Sequence, residues 1–492
     1  MLTRALRGVA TRVDARATDV LIVGGGVAGA ALACALRSAR ETRDVRVTVV
    51  DASAGEKRPA RGRAPDPRCV ALAPRSEGLL RRCGRAWDAI EGSTRARGFD
   101  RMQVWDGSGG GHATYDASEL GATRLGIVVE NDVVLEALEE EMARCGVERV
   151  VGGRVGETRF PGESEAGAAA TARVTVEGEG GGEFEYSAKL IVAADGAKSA
   201  VRKAAGIKIA GWGYGQRAVV GTVRTERPHE TAWQRFLPTG PIALLPIGDG
   251  TYSNVVWTTT PSEAKRLVED ATDEEFAREV HDALQGFGKY KSPYQENFNQ
   301  FSALRFFEDA VNQAYKPIVR AARSAVSRAA GVPLVDGADE DTETDFAPRF
   351  RYPPDVVPAG EGSKRASFPL STHHALSLTK PRLALIGDAA HVVHPLGGQG
   401  LNLGLRDAEL LASAIADARA LGQDIGSISA LTPYARASVA ANVPMMAALD
   451  GLQKLFAAEA YPITLARSLG LVAVNAAGPI RRKIAWYAMG AA

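Results

Sequence analysis

The sequence has little of three features that would each indicate a class of function. Lysine plus arginine (59) nearly equals aspartate plus glutamate (58), so no excess of positive charge would draw the chain to nucleic acid. The four cysteines form no CxxC pair and no metal-ligand spacing, which indicates free thiols in a reducing compartment. No apolar run reaches about 18 residues, so we expect no membrane-spanning helix, and peripheral attachment stays open.

The N-terminal residues 1–17 are rich in arginine and contain a single acid, Asp14. Such an extension is typical of a mitochondrial transit peptide, although a disordered basic tail has a similar composition. The first strand is predicted to begin near Asp19. We therefore expect a mitochondrial protein whose mature chain begins between Ala10 and Asp19.

Three segments each combine an apolar strand with a glycine-containing loop. They are TDVLIVGGGVAGAALACALRSAR, then ARVTVEGEGGGEFEYSAKLIVAADG, which includes a hairpin, and finally PRLALIGDAAHVVHPLGGQGLNLGLRDAELLASAIADA. A chain of 492 residues with 45% hydrophobic content can fill two or three domains, and long insertions separate these segments. The predicted fold class is α/β, with a doubly wound Rossmann-like domain interleaved with a β-sheet substrate domain, and a helical C-terminal tail.

The same pattern predicts the domain boundaries. The nucleotide-binding domain is predicted to consist of three pieces, at 18–75, 123–210 and 381–425, with a substrate-side segment at 76–122. A substrate domain at 211–380 contains a charged helical insertion at about 262–350, and a helical region follows at 426–492. The acidic run at 336–345, within the insertion, is interpreted as a solvated loop, with a docking role as the alternative.

The first glycine loop is a candidate dinucleotide site. Gly24, Gly26 and Gly29 form GxGxxG between a strand and a helix, and Asp51 ends the next strand. In such a turn the first glycine makes the bend, the second lets backbone approach a pyrophosphate, and the third packs the helix on the strand. Asp51 would take a ribose hydroxyl. The motif predicts a dinucleotide without choosing between NAD and FAD.

The other two loops favour FAD. Asp195 in VAADGAKSAVRKAAG, and Gly387 and Asp388 in LIGDAAHVVHPLGGQGLN, resemble the DG and GD fingerprints of flavin aromatic hydroxylases. A carboxylate at a strand end, like Asp388, can accept hydrogen bonds from ribityl hydroxyls, which NAD lacks. The stretch from Pro395 to Asn402 opens a helix whose positive end can lie beneath the flavin pyrimidine.

Two histidines of the third segment are interpreted as packed or loop-capping residues. Flavin oxygen chemistry needs no protein nucleophile, so acid–base catalysis by His391 or His394 is the less favoured alternative. A metal site is less favoured still, because two histidines on a Pro/Gly loop have no third ligand in view.

With the three fingerprints in this order, the chain resembles the single-component FAD monooxygenases typified by para-hydroxybenzoate hydroxylase. Further segments narrow the resemblance to the ring hydroxylases of ubiquinone biosynthesis. These are DPRCVALAP, MQVWD, LGIVVEN, TAWQRFLPTGPIALLP, FPL and RSLGL, spread over nearly the whole chain after the leader. AWQRF with TGPIALLP is the most distinguishing piece, and the charged insertion resembles that of the mitochondrial members.

The resemblance implies an activity and a set of cofactor contacts. The activity is hydroxylation, at C5, of a polyprenylated hydroxybenzoate ring with O2 and FAD, within a multiprotein assembly on the matrix face of the inner membrane. No catalytic side chain is named. The implied FAD contacts are Gly24, Gly26, Gly29, Asp51, Arg68, Asp195, Gly387, Asp388, Pro395, Gly400 and Asn402, and many relatives have Glu in place of Asp51.

Two rival functions remain open at this point. Another flavoenzyme, such as a hydroxylase of a small soluble phenol or a prenyl-chain reductase, would share all three fingerprints. A flavin-bound subunit without catalytic activity would also share them, although the intact loop PLGGQGLN argues against it.

The electron donor follows from the number of nucleotide loops. A single GxGxxG follows a strand and opens a helix, and FAD would occupy it, which leaves no second Rossmann unit for NADPH. NADPH could still visit a surface groove transiently. We favour delivery by a ferredoxin and its reductase, because a local basic patch would suffice to steer an acidic donor.

Overall fold

A computed structural model describes residues 16–53, 64–161, 171–178, 182–291, 350–360 and 363–490 of the protein. The greater part of the predicted leader and the acidic run at 336–345 lie outside the described residues.

The described residues form three β-sheets and a set of helices on and beside them. The strands are β1 Arg16–Val23, β2 Val47–Asp51, β3 Cys69–Leu72, β4 Arg97–Phe99, β5 Arg101–Asp106, β6 His112–Asp116, β7 Gly126–Glu130, β8 Glu148–Val151, β9 Arg154–Arg159, β10 Ala172–Glu177, β11 Glu183–Ala193, β12 Ile209–Thr225, β13 Thr231–Leu237, β14 Gly240–Ile247, β15 Tyr252–Thr259, β16 Val356–Pro358, β17 Arg365–Ala375, β18 Thr379–Lys380, β19 Leu383–Leu385 and β20 His391–Val392. The helices are α1 Val27–Ser38, α2 Pro74–Arg82, α3 Ala86–Glu91, α4 Asn131–Arg144, α5 Ala200–Ala204, α6 Pro261–Lys265, α7 Asp273–Gln285, α8 Gln399–Ala420, α9 Ile428–Ala457, α10 Tyr461–Ala476 and α11 Gly478–Ala488.

The first sheet is the predicted doubly wound sheet. Its strand order is β18-β19-β11-β1-β2-β8, and β1 runs parallel to both of its neighbours. Val20, Leu21 and Ile22 have no exposed surface, so β1 is buried on both faces, as a continuous apolar run predicts for a central parallel strand. α1 packs against α4 and α8 over this sheet.

β1 begins earlier in the chain than the sequence predicts. Arg16 pairs with Tyr186 of β11, and its guanidinium lies 4.2 Å from the centre of the Phe184 ring. The predicted start near Asp19 was therefore three residues late. Arg16 has the composition of the leader, so the sequence alone gives no signal that it belongs to the sheet.

The second sheet contains β12 to β15 and β17, most of which fall in the substrate domain predicted at 211–380. Its order is β20-β17-β12-β15-β14-β13-β5-β6, and α7 packs on one face. Ile242 and Leu244 of β14 point into the core beneath α7, so Ala243 and Leu245 point to the opposite face. That opposite face is the one turned toward the nucleotide-binding part of the chain.

The segment at 76–122, expected on the substrate side, contributes to both cores. Leu79 and Leu80 of α2 and Trp87 of α3 are buried in the core of the first sheet. Farther along, β5 and β6 form one end of the second sheet. The segment is divided between the two cores because the apolar residues of α2 and α3 pack against α1 and α4 of the first sheet's core.

A buried ion pair fixes the helical C-terminal region to the second sheet. Arg467 of α10 places its Nε 2.7 Å from Oδ2 of Asp106, at the end of β5, and both side chains are nearly inaccessible to solvent. Arg467 Nη1 also donates to the carbonyl groups of Leu455, Phe456 and Ala458. One guanidinium thus links the end of α9 and the middle of α10 to β5.

Among the described residues, no single helix is long and apolar enough to cross a bilayer. α10 and α11 meet the length and composition test only as a pair, and their axes are bent by 95° at the junction.

We expect Arg467→Met to lower the free energy of unfolding by about 3 to 5 kcal/mol, because Asp106 would remain buried without its partner. Denaturant unfolding followed by circular dichroism measures this change. Arg482→Met is the matched control, since it removes an exposed charge from α11 and should change stability by less than about 0.5 kcal/mol. Equal stability of the two variants would contradict this role for the ion pair.

Candidate functional site

The three sequence fingerprints meet at one edge of the first sheet. Val23, Ala193 and Leu385 are neighbours across β1, β11 and β19, which run parallel, so the loops after them emerge side by side. Two backbone hydrogen bonds join these strand ends, from Ala194 N to Val23 O (2.7 Å) and from Ile386 N to Ala193 O (3.0 Å). Ligands of doubly wound sheets bind at such carboxyl ends.

The three glycines of the first loop meet different surroundings. Gly24 has a φ of +108°, and a Cβ there would lie 2.2 Å from the Ala194 carbonyl oxygen. A Cβ on Gly29 would lie 2.1 Å from the Gly24 oxygen, so both positions require glycine for packing. A Cβ on Gly26 would meet no protein atom within 4 Å. The N-terminus of α1 therefore faces open space beside Gly26.

Two carboxylates hold these loops in shape. Asp51 Oδ2 accepts from Gly25 N at 2.8 Å, and Asp51 Oδ1 accepts from the backbone of Ser53. Asp195 Oδ2 accepts from Ala200 N at 2.7 Å, at the start of α5. The other Asp195 oxygen is buried and has no hydrogen-bond partner among the described residues.

Asp388 presents an unpaired carboxylate at the third loop. Its side chain is open to solvent on one side and surrounded by protein on the others, and it accepts no hydrogen bond from any described residue. Partial desolvation raises the pKa of Asp388, and His391 nearby acts in the opposite direction. Such a group can accept hydrogen bonds from hydroxyls of a ligand.

A buried network that the sequence analysis missed supports this loop. Asp407 of α8 accepts from Gly387 N (2.9 Å), lies 2.6 Å from His391 Nε2, and accepts from Ser438 and Asn442 of α9. Burial alone would lower the pKa of His391, but the Asp407 carboxylate raises it above its ordinary value. The only available signal was an acid at an inward-facing position of an apolar helix.

His391 is therefore a packed residue, and His394 caps its loop, as the sequence predicts. His394 Nδ1 accepts from Leu396 N at 3.3 Å, and Tyr214 packs edge-on against its ring. Burial lowers the pKa of His394 to about 4, so the ring is neutral at pH 7. The described part of the chain contains no cluster of three His, Cys, Asp or Glu side chains suited to a metal ion.

The loop at 395–398 leads into α8. Gly397 and Gly398 both have left-handed φ values, and Gly400 lies in the first turn of α8. The Asn402 side chain accepts from Ala73 N (3.0 Å) and donates to Ala71 O (2.9 Å). Because protein groups already use this amide, Asn402 could reach a flavin only through its backbone.

A cavity of about 440 Å³ lies between this loop and the second sheet. Arg68 stands at its rim, where its backbone and Nε donate to Asp66. The lining is mostly apolar and consists of Pro67, Arg68, Cys69, Ala71, Phe99, Met102, Asn131, Val220, Ala232, Trp233, Gln234, Pro241, Ala243, Leu245, Val256, Thr258, Ala366, Ser367, Phe368, Pro395, Leu396, Gly397 and Gly398.

Gln234 is the notable polar group of this cavity. It belongs to the AWQRF segment, and its neighbours Trp233 and Arg235 point toward the α7 side of the sheet. Only 6% of Gln234 is exposed, and its amide makes no hydrogen bond to any described residue. Its amide atoms are not among the fully buried partnerless atoms, so they face the cavity, where a ligand can bond to them.

The FAD binding domain family matches residues 17–302 and 338–423, which include all three loops. The chain belongs to this family. The flavoprotein is 36% identical to the mitochondrial ubiquinone biosynthesis monooxygenase COQ6 of Xenopus tropicalis, covering 96% of this chain and 93% of the relative. Identity to the 3-demethoxyubiquinol 3-hydroxylase of Escherichia coli (strain K12) is 31%, over 96% and 98% of the two chains.

Solved structures confirm the fold of the flavoprotein. The p-nitrophenol 4-monooxygenase PnpA of Pseudomonas putida DLL-E4 superposes with a TM-score of 0.65 at 20% identity, over 96% of this chain and 97% of that one. At this identity the likeness concerns the arrangement of sheets and helices.

The residues at the sheet edge fit the FAD that this family binds. Open space beside Gly26, a partnerless buried oxygen on Asp195 and the unpaired Asp388 carboxylate lie on three adjacent strand ends. A pyrophosphate is stabilised at a helix N-terminus such as that of α1, and ribityl hydroxyls can donate to a carboxylate.

We expect Asp388→Ala to weaken FAD binding by about 1 to 3 kcal/mol, or about 5-fold to 150-fold in Kd, because ribityl hydroxyls would lose their acceptor. Titration of the apoprotein with FAD, followed by flavin fluorescence, measures this change. Asp417→Ala, at an exposed site near the end of α8, is the control and should bind as the wild type does. An unchanged Kd for Asp388→Ala would refute this role.

We expect Gly26→Val to give a folded protein without FAD. The added side chain meets open space within the protein and would occupy the region assigned to the pyrophosphate. Gly24→Val should instead impair folding, because its side chain meets the Ala194 backbone. Circular dichroism and the absorbance of bound flavin separate the two effects, and a yellow Gly26→Val protein would rule out the assigned position.

Proposed function

We propose that this flavoprotein hydroxylates C5 of a polyprenylated hydroxybenzoate ring in ubiquinone biosynthesis, with O2 as oxidant. The observation that carries the proposal is the 440 Å³ apolar cavity between the second sheet and the loop at 395–398. The names of the COQ6 relatives support the pathway. The name of the Escherichia coli relative specifies position 3 of a demethoxyubiquinol, so the C5 assignment needs a direct test.

In the proposal, the cavity residues orient the aromatic ring and exclude water from it. Ala232 and Ala243 are small, so they leave room for a ring on the sheet, and Gln234 can donate to or accept from a ring substituent. The described lining contains no His, Asp, Glu or Lys, and burial holds the pKa of Cys69 well above its usual range. The protein thus orients the ring and excludes water, while bound FAD supplies the redox chemistry.

The geometry of the loops supports the proposed FAD contacts. In the proposal, Gly24, Gly26 and Gly29 form the pyrophosphate turn, Asp51 and Asp195 accept from hydroxyls of the nucleotide, and Arg68 lies at the cavity rim. Asp388 accepts from the ribityl chain. The remaining contacts, Gly387, Pro395, Gly400 and the Asn402 backbone, line the approach to the N-terminus of α8, whose positive end favours a reduced, anionic flavin.

The cellular setting is proposed on the names of the relatives. The COQ6 relatives are named mitochondrial, which supports a mitochondrial location for this protein. We place it on the matrix face of the inner membrane as a peripheral component of an assembly of ubiquinone-biosynthesis proteins. A polyprenylated substrate resides in the bilayer, so the enzyme must work at its surface.

Cells lacking this protein should accumulate a polyprenylated intermediate without the C5 hydroxyl, which mass spectrometry of extracted quinone precursors would identify. The wild-type gene should restore the product. Gln234→Leu should restore it poorly, because kcat/KM falls by about 2-fold to 12-fold with the loss of one hydrogen bond of about 0.5 to 1.5 kcal/mol. Gln423→Leu, at an exposed site after α8, is the control. Accumulation of an intermediate that lacks a hydroxyl at a ring position other than C5 would refute the C5 assignment.

We propose a ferredoxin, reduced by its reductase, as the electron donor in preference to NADPH. Anaerobic mixing of the oxidised enzyme and substrate with reduced ferredoxin should bleach the flavin at the turnover rate, and more slowly at high salt. NADPH alone should bleach it far more slowly. Bleaching by NADPH alone at the turnover rate would eliminate the proposed donor.

A further inference from the structure

α10 buries several polar side chains against the protein and leaves large apolar side chains exposed. Its inward side carries polar residues that bond to the second sheet: Ser468 Oγ donates to Asp106 at 3.2 Å, and Asn475 Oδ1 accepts from Thr114 N at 2.9 Å. Its first turns carry Tyr461, Ile463 and Leu465, each between 40% and 47% exposed. Polar side chains of α10 thus bond inside the protein, while large apolar side chains at its start are left exposed.

α11 continues the pattern. Arg481 is buried and pairs with Glu119 at 2.8 Å, while Ile480, Ile484 and Trp486 are between 42% and 53% exposed. Twelve of the twenty large apolar side chains that are exposed in the described residues belong to α9, α10 and α11. The exposed apolar surface is therefore concentrated at the C-terminal helices.

The charges of this region have one sign. The sequence from position 460 to 492 contains no aspartate or glutamate. Arg467 and Arg481 are paired inside, whereas Arg482 and Lys483 are exposed and form no ion pair with a described residue. The outer side of α10 and α11 thus combines apolar, aromatic and cationic side chains.

We propose that the outer side of α10 and α11 lies in the interface of a bilayer with anionic phospholipids. Tyr and Trp favour the headgroup level, and each exposed Lys or Arg adds about 1 kcal/mol of attraction to an anionic surface. A spanning arrangement would expose the buried pair of Arg467 and Asp106 to lipid. The helices lie in the plane of the membrane, and their buried polar side chains remain bonded to the rest of the protein.

The position of α10 connects this surface to the cavity. Leu471 and Val474 of α10 pack in the same apolar cluster as Met102 and Leu396, and the last two line the cavity. One apolar cluster therefore extends from α10 to the lining of the cavity. The inference rests on the proposed function to this extent: a polyprenylated ring has to enter the cavity from the bilayer.

The test is sedimentation of the FAD-loaded protein with two kinds of vesicle, phosphatidylcholine alone and phosphatidylcholine mixed equally with phosphatidylglycerol. The wild type should bind the mixed vesicles more tightly. Ile480→Glu with Ile484→Glu should weaken binding to both by at least about tenfold, and Arg482→Glu with Lys483→Glu should remove the preference for the mixture. Leu421→Glu, at a 71% exposed site after α8, is the matched control and should bind normally.

Each variant is first checked for wild-type FAD content and thermal unfolding. The inference is overturned if the wild type does not sediment with the mixed vesicles, or if Leu421→Glu weakens binding as much as the α11 variant. It is also overturned if the apolar residues instead support a dimer, seen by sedimentation velocity without vesicle binding. Hydroxylation of a short-chain soluble substrate, assayed without vesicles, tests the proposed function separately.

Discussion

The Asp407 carboxylate is the interaction on which the rest of the site depends. It is completely buried and receives donors from Gly387 and His391 of the third loop, and from Ser438 and Asn442 of α9. A buried charge is tolerated only when its hydrogen bonds are complete, so the loop and both helices have to adopt one arrangement together. That arrangement places Asp388 on the open side of the loop, where its carboxylate stays unpaired.

The loops and the first sheet could be predicted because their chemistry is local. GxGxxG requires a bend, an open approach and close packing at fixed spacings, and each glycine meets the surroundings that its position predicts. Asp407, the inward use of the Asn402 amide and the start of β1 at Arg16 could not be predicted. Each depends on a partner far away in the sequence, such as Ala73 for Asn402, which no local pattern reveals.

The second sheet shows how one strand pattern serves two purposes. Alternation along β13 and β14 sends Trp233 and Leu244 into the core beneath α7, and leaves Gln234 and Ala243 on the cavity side. The strands could be predicted from composition. The sequence does not reveal which face of the sheet lies toward the loop at 395–398. The family resemblance marked AWQRF as distinguishing. Only the fold places its glutamine in an apolar cavity with no partner of its own.

In the C-terminal helices, the pattern of polar and apolar residues does not predict which side faces the protein. A polar stripe and an apolar stripe on one helix ordinarily predict that the apolar side packs inward. In α10 the inward partner is Asp106 at the end of β5, and a buried carboxylate needs a cation, so Arg467 decides which side faces the protein. With that side fixed, Ile463 and Leu465 at the start of the helix remain 40% and 42% exposed, and water is an unfavourable environment for them. The ion pair that anchors the helix therefore also leaves these apolar side chains accessible to a bilayer.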